Sequence, residues 1–188
     1  MILLVAIALA AADTHIGGAT AADRDRLARA EAAWEAGLAA ARRAAPGEIA
    51  QRGALFDPVR ALPNAMPPAG DYRCRVFKLG AAARGLRDFT AYPWFACRVS
   101  AGQGPRRLEK LTGSQRFVGV LRPGRDDRAT FLGTAQYGEE RQALAYGRDR
   151  LRDMAGRVER VDDRRWRIAL PWPAFESIID VVELVPAR

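Results

Sequence analysis

Two pentads constrain this chain more than anything else in it: Tyr72-Arg73-Cys74-Arg75-Val76 and Phe95-Ala96-Cys97-Arg98-Val99, which hold its only two cysteines. Each cysteine is flanked by an aromatic two residues before and a valine two residues after. That alternation of period two puts Tyr72, Cys74 and Val76 on one face of a strand, and Phe95, Cys97 and Val99 on one face of another. With the strands antiparallel and Cys74 opposite Cys97, Tyr72 meets Val99 and Val76 meets Phe95. Both flanking pairs are then aromatic against β-branched, a favoured cross-strand combination. The pattern predicts a Cys74–Cys97 disulfide and therefore an oxidising compartment. Closing a loop of roughly 24 residues contributes on the order of 3 kcal/mol in the chain-entropy account.

The N-terminus points the same way. Met1 to Ala12 is uncharged and apolar. As a helix it reaches about 18 Å, short of the roughly 30 Å hydrocarbon core, so it predicts no transmembrane span. It matches the apolar region of a signal peptide, residues 1–12, with cleavage after Ala10 or Ala12, although no Lys or Arg precedes it. The expected location is periplasmic or secreted. Thirty basic against 22 acidic residues give a net charge of +8. Only Lys78 and Lys110 are lysines, and the arginines are dispersed, as a GC-rich coding sequence would produce. With no basic run, interleaved aromatics or recognisable module, no specific nucleic-acid partner is expected. An anionic envelope surface is the partner such a charge would meet after export.

Two styles of sequence join at a proline-rich connector. Residues 20–57 form a helical N-terminal segment. Thr20-Ala21-Ala22-Asp23 has the shape of a capping box, and Leu27, Ala30, Trp34, Leu38 and Ala41 then form one apolar stripe to about Ala45. Pro46-Gly47 stops that helix, and a shorter one spans Glu48 to Phe56. Pro63, Pro67 and Pro68 stiffen the connector, residues 58–70. Residues 71–188 form an antiparallel β domain, with strands near 71–79, 92–100, 106–112, 116–122, 128–135, 155–161, 164–170 and 178–185. In the cleanest of these, Trp166, Ile168 and Leu170 point inward and Arg167 and Ala169 outward. Gly138 to Ala155 is polar and reads as a loop with a short helix. The fold class is α+β: N-terminal helices packed on an eight-strand antiparallel up-and-down, lipocalin-like β-barrel, with a β-sandwich as the alternative.

The chemistry is bounded by elimination. The only histidine, His15, follows the cleavage site, so Ser-His-Asp and Cys-His catalysis and ordinary zinc sites have no histidine in the folded body. No Gly-rich loop opens a helix after a strand, and no cofactor is implied. Three polar constellations remain. Glu109, Lys110, Ser114 and Arg116 fall within eight residues. They read either as a hairpin turn at 112–115, with Lys110 solvated and protonated, or as a Ser-Lys hydrolase site. The carboxylates Asp126, Asp127, Glu139, Glu140, Asp162 and Asp163 sit in turn-like surroundings. Tyr146 to Asp153 alternates in sign, as a salt-bridged loop over a barrel mouth would, with an arginine there able to take a phosphate or carboxylate.

The runs Gly70–Val76 and Ala91–Val99, Leu108–Arg116, Arg165-Trp166-Arg167 and Glu183–Pro186 resemble an alphaproteobacterial family catalogued as domain of unknown function 4893. The resemblance covers nearly the whole chain after the signal segment. It implies an exported, mostly single-domain protein and carries no functional residues over. The leading expectation is a non-enzymatic binding or interaction module of the cell envelope, engaging a protein or an apolar or amphipathic ligand. It needs an open apolar cavity near Tyr72, Val99 and Trp166. The alternative is a periplasmic hydrolase using Lys110, Ser114 and Glu109. Whether the barrel is hollow or filled decides between their requirements.

Overall fold

The computed structural model describes residues 18–102, 104–124 and 127–187. The signal-peptide expectation, His15 and Asp126 lie outside the described residues. Three helices precede the sheet: α1 (Ala21–Ala28), α2 (Ala30–Ala44) and α3 (Pro46–Arg52), the last running into a 3-10 turn at Gly53–Phe56. The cap at Thr20 forms as the sequence implies, with its hydroxyl accepting the Asp23 N–H at 3.2 Å. The single helix expected from Thr20 to Ala45 is broken at Arg29. There the backbone N–H is shared between the Asp25 and Arg26 carbonyls, and the Arg29 carbonyl also accepts the Trp172 indole N–H at 3.1 Å. The break lets α1 and α2 bury their stripes on different strands: Leu27 against Leu132 and Ala155, Trp34, Leu38 and Ala41 against Phe77, Leu79 and Ile179.

Nine strands follow: β1 (Gly70–Ala81), β2 (Phe89–Ala91), β3 (Phe95–Ser100), β4 (Arg106–Lys110), β5 (Gln115–Pro123), β6 (Ala129–Tyr137), β7 (Asp153–Asp162), β8 (Arg165–Pro171) and β9 (Ser177–Pro186). From β3 onward each pairs with its sequence neighbour, and β1 pairs with both β3 and β9, so the sheet closes on itself. The result is an eight-strand antiparallel barrel rather than a sandwich. The extra strand, β2, continues β3 along the same edge of β1. Phe77 faces Ala91 and Cys74 faces Phe95, so Tyr92, Pro93 and Trp94 oppose only Arg75 and Val76. That is a bulge, placed where Pro93 has no N–H to pair.

Cys74 and Cys97 form the disulfide, with Cα atoms 5.8 Å apart, but not in the register the flanking residues imply. Tyr72 faces Cys97 and Cys74 faces Phe95, while Val99 faces Gly70. The pairing is shifted by two residues and the bond runs diagonally, an arrangement strand twist permits within the usual Cα span. A shift of two preserves which face each residue takes, so both cysteines still point inward. A second correction concerns residues 138–152, which contain turns and no helix.

Apolar packing forms on both sides of the barrel wall. Inside, Tyr72, the cystine, Val99, Leu108, Leu121, Phe131, Val158, Trp166, Ile168 and Leu184 make one cluster. Outside, the helices cover Phe77, Leu79, Ala169, Ile179 and Val181. Gly37 of α2 allows this approach, since a Cβ there would meet Ile179 at 2.6 Å and the Leu79 carbonyl at 3.0 Å. The outward prediction for Arg167 and Ala169 needs amending: outward here means into the helix–barrel interface. Arg167 is fully buried. Its guanidinium pairs with Glu159 at 2.7 Å and donates to the carbonyls of Leu55, Asp57 and Arg60 at 3.0, 2.6 and 3.0 Å. A buried guanidinium is tolerated only when its charge and donors are met this way. Here it fixes the end of the helical segment to the wall.

Candidate functional site

The strands alternate in direction, so the chain reversals fall at two ends. One end, the mouth, carries the loops 82–88 (β1–β2), 111–114 (β4–β5), 138–152 (β6–β7) and 172–176 (β8–β9). The other, the base, carries 101–105, 124–128 and 163–164. Following inward positions from base to mouth, β1 reads Tyr72, Cys74, Val76, Lys78; β4 reads Arg106, Leu108, Lys110; and β9 reads Leu184, Val182, Asp180. Three strands thus end their inward rows on a charge. Charged side chains cannot close a dry core, and above the Phe117, Leu170 and Val182 level the barrel opens into a cavity of about 600 Å³. That volume lies within the range of small-molecule sites, about 300–1,000 Å³.

The cavity wall is divided by chemistry. Its floor and sides are Val76, Phe95, Phe117, Met154, Leu170 and Val182. On the β1–β9 side, Lys78 Nζ pairs with Asp180 at 3.1 Å and Glu176 at 3.3 Å. Burial works against the Lys78 charge, but the two carboxylates outweigh it and hold its pKa above the ordinary value. On the β4–β5 side stand Lys110 and Arg116, and no ion pair is formed by either among the described residues. Lys110 is 95% buried, at 5% exposure. Its ammonium lies 3.6 Å from the centroid of the Phe95 ring and donates to the Gln115 carbonyl at 2.5 Å. Burial, with the neighbouring Arg116 charge adding to it, pushes its pKa down to about 8. The expectation of a solvated Lys110 is therefore corrected: the strand's inward face takes it out of water. Arg116 donates to the Gly113 and Glu140 carbonyls at 3.3 and 3.0 Å, which aim it at the rim without neutralising it.

Residues 112–115 make the turn the sequence implies, and Ser114 is exposed on it. No hydrogen bond joins Ser114 Oγ to Lys110 Nζ. Glu109 points through the wall, where its carboxylate pairs with Arg107 at 2.9 Å. Tyr72, Val99 and Trp166 sit in the filled base half: all are buried, the Tyr72 and Trp166 rings meet edge to face at 6.1 Å, and the Tyr72 hydroxyl donates to the Pro68 carbonyl at 2.7 Å. Burial pushes the Tyr72 hydroxyl up to about 12. Tyr72 and Trp166 border a separate cleft of about 530 Å³ at the base, between the connector and the barrel end.

The loop at Tyr146 to Asp153 does lie over the mouth, and its Leu151 and Arg152 line the cavity. Arg152 is held by Glu140 at 2.8 Å and Asp149 at 3.5 Å. Tyr146 ties the loop to α1 by donating to Asp23 Oδ2 at 2.5 Å. Lys78, Asp180, Glu176 and Phe175 were not singled out from the sequence. The signal was present for Lys78 and Asp180, which share the parity of Tyr72-Cys74-Val76 and of Val182-Leu184. Among the described residues, no three His, Cys, Asp or Glu side chains cluster as metal ligands, and no helix is long and apolar enough to cross a membrane.

The family model for the domain of unknown function DUF4893 matches residues 17–184, and the chain belongs to that family. Comparison with curated proteins and with solved structures finds no match.

Proposed function

We propose that this family member is an exported, non-enzymatic binding protein that holds an amphipathic anion, such as a long-chain carboxylate, in the mouth half of its barrel. One observation carries the reading: an apolar cavity whose β4–β5 wall presents two cations, Lys110 and Arg116, with no carboxylate between them. An apolar tail would replace water against Val76, Phe117, Met154, Leu170 and Val182. The anionic head would relieve the mutual repulsion of Lys110 and Arg116 and accept charge-assisted hydrogen bonds from both. The disulfide supports export, since such bonds persist in oxidising compartments. The hydrolase alternative draws on the same depressed Lys110, but it needs the amine to reach Ser114 Oγ. Here the amine is turned to the Gln115 carbonyl, and Ser114, exposed on the turn at the cavity rim, makes no hydrogen bond to it.

A dansyl-labelled long-chain carboxylate and the matching alcohol test the binding reading by fluorescence titration. The carboxylate should bind more tightly, and Lys110→Met or Arg116→Gln should each weaken it about tenfold while leaving the alcohol nearly unchanged. Protonated Lys110 is the form that attracts an anion. Carboxylate affinity should therefore fall as pH rises through about 8, where free Lys110 loses its proton. Equal binding of acid and alcohol, with no pH dependence, would refute the head-group assignment.

A further inference from the structure

The mouth differs from the rest of the surface in a way the cavity does not require. Among the described residues, the exposed large apolar side chains are Val59, Leu86, Leu111, Leu144, Leu151 and Phe175. All but Val59 stand on the four mouth loops, and Leu86, Leu111 and Leu144 do not line the cavity. The base loops carry none. Phe175 is held out at 52% exposure by a loop with left-handed backbone at Trp172 (φ 50°) and Glu176 (φ 72°), a conformation that non-glycine residues adopt only against a steric cost. Exposed apolar residues gathered at one end of a protein mark an interaction surface.

The charges on the same loops identify the partner. Arg84, Arg87, Arg141, Arg148 and Arg150 are exposed and form no ion pair among the described residues. Of the acidic side chains beside them, Asp88 accepts the Ala81 N–H at 3.0 Å, Glu140 and Asp149 hold Arg152, and Glu176 holds Lys78. Glu139 is exposed and forms no ion pair among the described residues, which leaves the arginines in excess. Leucines and a phenylalanine interspersed with unpaired arginines match the boundary of an anionic bilayer. There the apolar tips enter the acyl edge while guanidinium groups, on their long stems, meet lipid phosphates. We infer that the barrel docks mouth-down on an anionic lipid surface. The docked orientation turns the cavity opening toward the lipid, so an amphipathic molecule can pass between bilayer and barrel without crossing water. The docking stands whether or not the cavity holds a carboxylate.

Co-sedimentation of the protein with vesicles tests it. The protein should partition onto phosphatidylcholine vesicles containing phosphatidylglycerol and hardly at all onto pure phosphatidylcholine. The double variants Leu86→Ser with Leu144→Ser, and Arg148→Gln with Arg150→Gln, should each lower that partition about tenfold or more. Val59→Ser should leave it unchanged. None of these residues lines the cavity, so titration with the dansyl carboxylate in the absence of vesicles should be the same in every variant. That readout separates failure of the docking from failure of the binding proposal. Partition indifferent to phosphatidylglycerol, or weakened as much by Val59→Ser as by the mouth variants, overturns the inference. So does self-association that the mouth variants abolish without any vesicle binding, which would make a second copy the occupant of this surface.

Discussion

The two ends of one barrel are built on opposite principles. At the base, inward rows carry Tyr72, Leu108, Leu121, Val158, Trp166 and Leu184, the cystine sits directly above them, and the interior is filled. The end arginines Arg106 and Arg160 donate to the connector carbonyls of Met66, Pro67 and Pro63. At the mouth the same rows finish on Lys78, Lys110 and Asp180, and the interior is open. The strands, their pairing and their twist are continuous from one end to the other. The difference therefore comes from inward side chains alone: apolar groups consolidate a layer, and charges keep it wet. In the filled zone, level with Leu121, lies Phe131, whose ring occupies space made by Gly119 and Gly133. A Cβ at either glycine would come within 2.5 Å of that ring. The base supplies stability and the mouth is released from doing so, as binding regions drawn from the less consolidated part of a fold tend to be.

The contrast breaks most visibly by emptying the filled zone. Phe131→Ala should cost about 3–5 kcal/mol, because the ring is buried at 1% exposure and packs edge to face on Phe117 at 5.8 Å. Denaturant unfolding gives the number, and a loss below about 1 kcal/mol would mean the base is not the stabilising half. Next in size, replacing both cysteines by alanine should cost about 3 kcal/mol through the loop the bond closes. Mass measurement of protein taken from the cell envelope should find Cys74 and Cys97 unavailable to alkylation, and two labelled thiols would remove the support for an oxidising compartment. The smallest effect has the opposite sign. Lys110 binds its proton less tightly in the folded chain than in the unfolded one, so its charge opposes folding below about pH 8. That opposition fades as pH rises from there toward the ordinary lysine range. The shift from 10.5 to about 8 is worth roughly 3 kcal/mol, and losing the Gln115 hydrogen bond and the Phe95 contact offsets about 2 of it. Lys110→Met should therefore be more stable than the parent by about 1 kcal/mol at neutral pH, with the difference shrinking above pH 8. Equal or lower stability at neutral pH would place Lys110 among the supports of the fold.

Alternation and helical spacing located the eight main strands to within a few residues and found the stripe from Leu27 to Ala41, because these patterns are local and repeat. The cystine was legible for the same reason, through the identical setting of its two halves. Its register was not. Face assignment survives a shift of two residues, and only the bulge at Tyr92-Pro93-Trp94 and the closure of β1 on β9 choose between the alternatives. The Glu109-Lys110-Ser114-Arg116 group was visible as a polar cluster, yet sequence distance could not tell that Glu109 leaves through the wall while Lys110 enters the barrel beside Phe95.

What the sequence by itself determined is the identity of each face: which residues alternate together, where the first helix begins at Thr20, and where chain direction must reverse. What only the tertiary structure decided is what each face meets. Arg167 and Ala169 are outward by parity, and they are buried because the helices return over that side of the wall. Lys110 is inward by parity, and its proton is held weakly because closure of the sheet buries it beside Arg116. Periodicity is a property of neighbouring residues, whereas burial and the work of charging a side chain depend on elements far away in sequence.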